Sequence, residues 1–187
     1  MYKRQLNSSR TIGLELQYLY QLSDRWSIDL NATVQDAQLN DFNLYQANGT
    51  IDQEDDSIDT FSDNKVPHQA NLMGNVSLNY NGSKWDGRLT YRYLGDRYGN
   101  FANAFTLPAY GRWDLQMNYS ISNNWYISVM GTNLFNTGGL NNFFGPNQFG
   151  SSSDAATAGF IQANPNASFV VFPIAGRTVS LSLGYRM

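Results

Sequence analysis

Residues 70–93 read ANLMGNVSLNYNGSKWDGRLTYRY, and the alternation within them decides the fold. Ala70, Leu72, Gly74, Val76, Leu78 and Tyr80 hold one set of alternate positions; Asn71, Met73, Asn75, Ser77 and Asn79 hold the other. After Asn81-Gly82 the period returns, with Trp85, Gly87, Leu89, Tyr91 and Tyr93 set against Asp86, Arg88, Thr90 and Arg92. Side chains of a strand point to opposite faces in turn, so this period of two predicts paired strands with one apolar and one polar face. Asn81-Gly82 predicts a two-residue type I′ hairpin turn, whose central positions both need positive φ.

The same rule extends along the chain in both directions. Upstream, Ile12, Leu14, Leu16, Tyr18, Tyr20 and Leu22 alternate with Gly13, Glu15, Gln17 and Gln21, and Trp26, Ile28, Leu30, Ala32 and Val34 alternate with Ser27, Asp29, Asn31 and Thr33. Downstream, Trp113, Leu115, Met117 and Tyr119 oppose Arg112, Asp114, Gln116 and Asn118; Trp125, Ile127 and Val129 oppose Tyr126, Ser128 and Met130; Val179, Leu181, Leu183 and Tyr185 oppose Thr178, Ser180 and Ser182. The expectation is an all-β, antiparallel up-and-down meander of about seven long strands, over 10–22, 26–40, 67–80, 84–98, 109–121, 125–135 and 175–187. Its connections alternate between tight turns and long loops, the latter at 41–66, 99–108 and 136–174. At roughly 3.3 Å per residue, such strands reach about 33 to 50 Å and, tilted near 45°, cross a hydrocarbon layer of about 30 Å. They are much longer than the usual strand of about five or six residues, which points to part of a transmembrane β-barrel.

Composition agrees with a wall that has one wet face. The 187 residues are 14% aromatic and only 14% charged, with many Asn, Ser and Gly, and the mean hydropathy is −0.43. The formal charge of −3 and the lack of any polybasic run argue against a nucleic-acid reader. Cysteine is absent, which excludes disulfides and thiolate metal sites. No apolar run is long enough for a membrane-spanning helix, and the first ten residues lack the apolar segment of a signal peptide.

Alternation does not say whether the apolar face meets a protein core or lipid, because both give period two. The rings decide. Tyr20 with Trp26, Tyr80 with Trp85, and Tyr119 with Trp125 flank the three short turns, and Tyr185 stands near the end of the last strand. A row of Tyr and Trp at one strand end suits a membrane interface, where one side of the ring is apolar and its polar atom stays wet. The polar set Glu15, Gln17, Asp29, Asn31, Asn75, Arg88, Arg92, Arg112 and Asp114 is then expected to face an aqueous lumen. Two other architectures share the periodicity: a soluble all-β binding module with the rings inside, and a small complete outer-membrane barrel.

Several segments resemble those of one family. Gly176-Arg177-Thr178-Val179 with the chain end Tyr185-Arg186-Met187 resembles the last strand of a TonB-dependent receptor, although that family usually ends in Phe. Gly13-Leu14-Glu15 resembles its Gly-x-Glu strand, Asn64-Lys65-Val66-Pro67-His68 its Pro-led strand entry, and Asn133-Leu134-Phe135-Asn136 its penultimate-strand segment. The resemblance implies the C-terminal third of a barrel of about 22 strands, the plug domain being absent from these residues. It also implies a location in the outer membrane of a Gram-negative bacterium and uptake of a scarce ligand of the siderophore, cobalamin or glycan class. The partners it implies are outer-membrane lipid, the rest of the barrel and its plug, TonB through that plug, the barrel-insertion machinery through the last strand, and the small-molecule ligand.

No catalytic, cofactor or metal site is expected. His68 is the single histidine and no Gly-x-Ser-x-Gly elbow occurs. Asp52, Glu54, Asp55, Asp56, Asp59 and Asp63 form an acidic stretch that lacks the glycine of a calcium loop and reads as a solvated tip. Phe143, Phe144, Phe149 and Phe160, in a loop too long to be a mere connector, are the candidate ligand-contacting rings.

Overall fold

The computed structural model describes residues 8–46, 57–144, 158–163 and 170–186. In chain order the elements are β1 (Ser8–Gln21), β2 (Trp26–Asn40), β3 (Phe42–Gln46), β4 (Ser57–Phe61), β5 (Leu72–Asn81), β6 (Trp85–Leu94) and β7 (Arg97–Tyr98). They continue with β8 (Thr106–Leu107), β9 (Tyr110–Ser120), β10 (Trp125–Thr132), β11 (Leu140–Phe144), α1 (Ala158–Ala163), β12 (Val170–Pro173) and β13 (Thr178–Tyr185). One antiparallel sheet of seven strands runs in the order β1-β2-β5-β6-β9-β10-β13. Three two-stranded ribbons, β3-β4, β7-β8 and β11-β12, rise from the long connections.

The register places the apolar positions in continuous rows. Leu14 opposes Val34, Val34 opposes Leu72, Leu30 opposes Val76, Leu78 opposes Leu89, and Val129 opposes Leu181. Among the described residues nothing covers these rows: Leu14 and Leu181 are each 73% exposed, Leu183 64% and Leu78 38%. A soluble sheet would bury that face, since apolar area left in water costs about 25 cal/mol per Å². The dry centre of a soluble module is missing from the sheet.

Ring contacts mark the short-turn end. Tyr80 stacks on Trp85 at 3.8 Å between ring centroids, Trp26 meets Tyr80 edge-on at 4.7 Å, and Trp125 meets Tyr185 at 5.0 Å. Trp85 opposes Tyr119 in register. The pairing therefore runs across neighbouring strands as well as across turns. Tyr20 stacks with Tyr18 on its own strand, because the register places it opposite Ile28.

The expected two-residue turn at Asn81-Gly82 is not formed. Asn81 stays in β5 opposite Asp86, neither residue takes positive φ, and the turn is Gly82-Ser83-Lys84, closed by Gly82 N–H donating to Trp85 O at 3.0 Å. At the other end β6 stops at Leu94, earlier than the alternation alone suggests, and Gly95 N–H donates to Leu72 O at 2.9 Å before the chain leaves the sheet.

Polarity inverts at this outer end. Asp36, on the side of the apolar row, pairs with Lys65, whereas Ala37 and Leu39 are buried at 3% and 2% exposure. Val66 N–H donates to Ala37 O and Leu39 N–H to Asn64 O, so the segment before β5 pairs alongside this end of β2. With Ala70, Leu107 and Ile174, Ala37 and Leu39 are the buried apolar residues among those described, and they lie at the loop end. Strands projecting beyond hydrocarbon into water must turn their apolar side chains inward, as any soluble strand does.

Candidate functional site

The polar face carries cross-strand ladders at fixed levels. One row reads Gln17, Asn31, Asn75, Arg92, Arg112 across five strands; the next, toward the short turns, reads Leu19, Asp29, Ser77, Thr90, Asp114. Two ion-pair groups link these rows. Arg88 Nη2 donates to Asp29 Oδ2 at 2.9 Å and its Nε to Asn79 Oδ1 at 2.6 Å. Asn31 Nδ2 donates to Asp29 Oδ1 at 3.1 Å, and to Asn75 Oδ1 at 3.4 Å. In the second group Arg92 Nε donates to Asp114 Oδ2 at 3.0 Å, Arg112 Nε lies 3.4 Å from the same oxygen, and Asn133 N–H donates to Asp114 Oδ1 at 3.0 Å. Between the groups Ser77 and Thr90 share a buried hydroxyl hydrogen bond of 2.9 Å.

All nine polar residues expected to share a face do so, by the strand registers. Asp29, Asn31, Asn75, Arg88, Arg92, Arg112 and Asp114 are joined in the two networks, whereas Glu15 and Gln17 stand exposed on the edge strand β1. Phe143 and Phe144 lie in β11, and Phe160 lies in α1. Phe149 lies outside the described residues, as do Asp52, Glu54, Asp55, Asp56 and Met187. Asp59 stands in β4 opposite Leu44, and Asp63 donates its N–H to Leu39 O of β2 at 2.9 Å. His68 takes a φ of 63° beside the loop end and donates its N–H to Tyr98 O at 2.9 Å.

Three features of the outer end carried no readable signal. Arg97 is 4% exposed, and its guanidinium donates from Nη2 to the carbonyls of Leu140 and Asn141 in β11, the latter at 3.0 Å. Its Nη1 is buried with no hydrogen-bond partner among the described residues, and burial lowers its pKa from the usual arginine value while leaving it a cation. Phe101 stacks on Phe42 at 4.4 Å between centroids and lies 6.4 Å from Phe61. Asn103 Oδ1 accepts from Lys65 N–H at 2.7 Å, and its amide donates to Lys65 O at 2.9 Å. The loop 41–66 is thus tied to the loop 99–108, and Arg97 of β7 to β11.

A family model for the TonB dependent receptor-like β-barrel matches residues 2–142. No curated protein matches the sequence significantly. Among solved structures the fold is similar to the siderophore receptor PiuA from Acinetobacter baumannii, with a TM-score of 0.70 at 18% identity over 96% of this chain and 22% of that one. It is also similar to the ferric yersiniabactin uptake receptor FyuA from Yersinia pestis, with a TM-score of 0.69 at 19% identity over 97% of this chain and 24% of that one. The chain therefore spans about a quarter or less of the length of the structures it resembles.

Proposed function

Because the chain belongs to the TonB-dependent receptor-like β-barrel family, we propose that it is a C-terminal stretch of the wall of an outer-membrane active transporter. The observation that supports this most is the seven-stranded sheet whose Leu and Tyr rows stand uncovered while its Arg, Asp and Asn rows interlock. In lipid the uncovered rows are satisfied by acyl chains, and the girdle of Tyr20, Trp26, Tyr80, Trp85, Tyr119, Trp125 and Tyr185, which steps by one register row at each hairpin, sits at the periplasmic interface.

On this reading the polar rows bound the lumen that a plug domain fills. The plug couples to TonB, and the loops at the opposite end admit a scarce ligand of the siderophore, cobalamin or glycan class. β13 is the strand presented to the barrel-insertion machinery, and β1 continues into the remaining wall. The main sheet's two edges are not paired with each other, which favours a section of a larger barrel over a small closed one. The test is uptake by cells carrying the full-length receptor, supplied with single candidate ligands at nanomolar concentration. Accumulation that stops on addition of a protonophore is the expected result. Equal accumulation with and without the protonophore would rule out energised transport.

A further inference from the structure

The apolar face of the sheet is not smooth. Trp85, Met117, Asn118, Tyr119, Ile127 and Val129 line a notch of about 320 Å³ across β6, β9 and β10. Each of these strands has a neighbour on both sides, so the notch does not arise at an edge of the sheet. The rings leave it open. Trp85 turns to Tyr80 in β5 and Trp125 to Tyr185 in β13, at 3.8 and 5.0 Å between centroids. Tyr119 stands between these pairs with no ring contact, and no hydrogen-bond partner for its hydroxyl, among the described residues. On the β6 side Gly87 opposes Met117 and supplies no side chain, and Met117 Cγ lies 3.2 Å from where a Cβ would be.

The two ends of the notch differ in chemistry. Inward it meets the apolar pair Leu89 and Leu115, with Leu181 opposite Val129. At the turn end stands Lys84, whose carbonyl accepts from Ser120 N–H at 2.7 Å. Lys84 is exposed and forms no ion pair among the described residues. From 115 to 153 the chain has no acid. Asp86 and Asp114, the acids of β6 and β9, already accept from Asn118 at 2.9 Å and Arg92 at 3.0 Å. An apolar hollow with a spare cation at its wet end fits an anionic amphiphile. A methylene is about as large as a water, whose share of the liquid is about 30 Å³, so the notch takes on the order of ten. Six lining residues are too few for a second copy of the chain, since a stable protein interface uses roughly 20–30 a side.

We propose that the notch holds an acyl chain of an anionic phospholipid of the periplasmic leaflet, whose phosphodiester is met by Lys84 and the Tyr119 hydroxyl. This rests on the wall reading, which places the notch in lipid. The test uses the full-length receptor in detergent, titrated with phosphatidylglycerol or with phosphatidylethanolamine of the same chains. Native mass spectrometry counts the lipid retained.

The unsubstituted receptor is expected to retain one phosphatidylglycerol more than Val129→Phe, whose ring fills the notch and weakens that site at least about tenfold. Val76→Phe, on the same apolar face in β5, should keep it. Lys84→Gln should lower the preference for phosphatidylglycerol about fivefold, the share of one lysine beside an anionic headgroup. Equal retention by Val129→Phe and Val76→Phe would overturn the proposal, as would a preference unchanged in Lys84→Gln. A receptor dimer lost in Val129→Phe alone would overturn it too, by assigning the notch to a second copy. Lys84→Gln changes an exposed turn, so it keeps the proposal falsifiable if Val129→Phe fails to insert. Heat-modifiable mobility of the same samples tests the wall separately: a receptor that inserts but retains no such lipid removes the site and leaves the wall reading standing.

Discussion

Asn133 and Asn136 take φ values of 49° and 52°, a region that asparagine enters far more readily than most residues. Asn133 is 1% exposed; its amide donates to Thr137 O and Ala175 O, each at 3.0 Å, and its Oδ1 accepts from Thr137 N–H at 2.9 Å. Asn136 Oδ1 accepts from Arg177 N–H at 3.0 Å, so the Asn-Leu-Phe-Asn segment ties the end of β10 to the start of β13. Asn133→Gly keeps the backbone but strands these groups, which should destabilise the full-length barrel by about 1–3 kcal/mol. Asn133→Ala adds left-handed strain and should cost about 1 kcal/mol more. Unfolding midpoints in detergent check the order, and an Ala variant as stable as Gly would refute it. Arg97 acts at the same scale. Arg97→Leu removes its donors to Leu140 and Asn141, so amides of β11 should exchange at least several-fold faster while those of β9 stay protected. Unchanged exchange in β11 would show that the ribbon holds itself.

Among elements, β2 shows most directly how one strand serves three environments. Its Trp26 end lies at the ring level, its middle alternates Leu30 with Asn31, and its outer end inverts so that Ala37 and Leu39 are buried. Replacing adjacent residues by one charged group separates the two faces. Leu30→Arg should destabilise the receptor by about 2–4 kcal/mol if that row lies near the bilayer midplane. Asn31→Arg, one position away and on the wet face, should cost much less. Yields of heat-modifiable receptor in outer-membrane fractions give the comparison, and equal losses would contradict the assignment of faces. The inversion beyond Val34 shows in the sequence as a change of phase, from even apolar positions to Ala37 and Leu39, but period alone does not say which face is covered. The segment 63–66, brought back from more than twenty residues away, pairs alongside this stretch of β2.

Across the whole molecule, the seven-stranded sheet ends in β1 and β13 with no strand on their outer sides among the described residues. Each unpaired backbone N–H or C=O in hydrocarbon costs several kcal/mol, so only a closed wall is stable there. The 187-residue chain expressed alone should therefore yield no heat-modifiable monomer in liposomes, whereas the same residues within the full-length receptor should. A folded monomer of the chain alone would show that its edges can close.

The strands, their two faces and the ring level were written in the sequence, because side-chain alternation and interfacial rings depend on neighbours one and two residues apart. Only tertiary structure decided which arginine meets which acid, that two of them share Asp114, and that Arg97 and Asn133 are buried. Those facts depend on register between strands and on the return of long loops, and no local period encodes either.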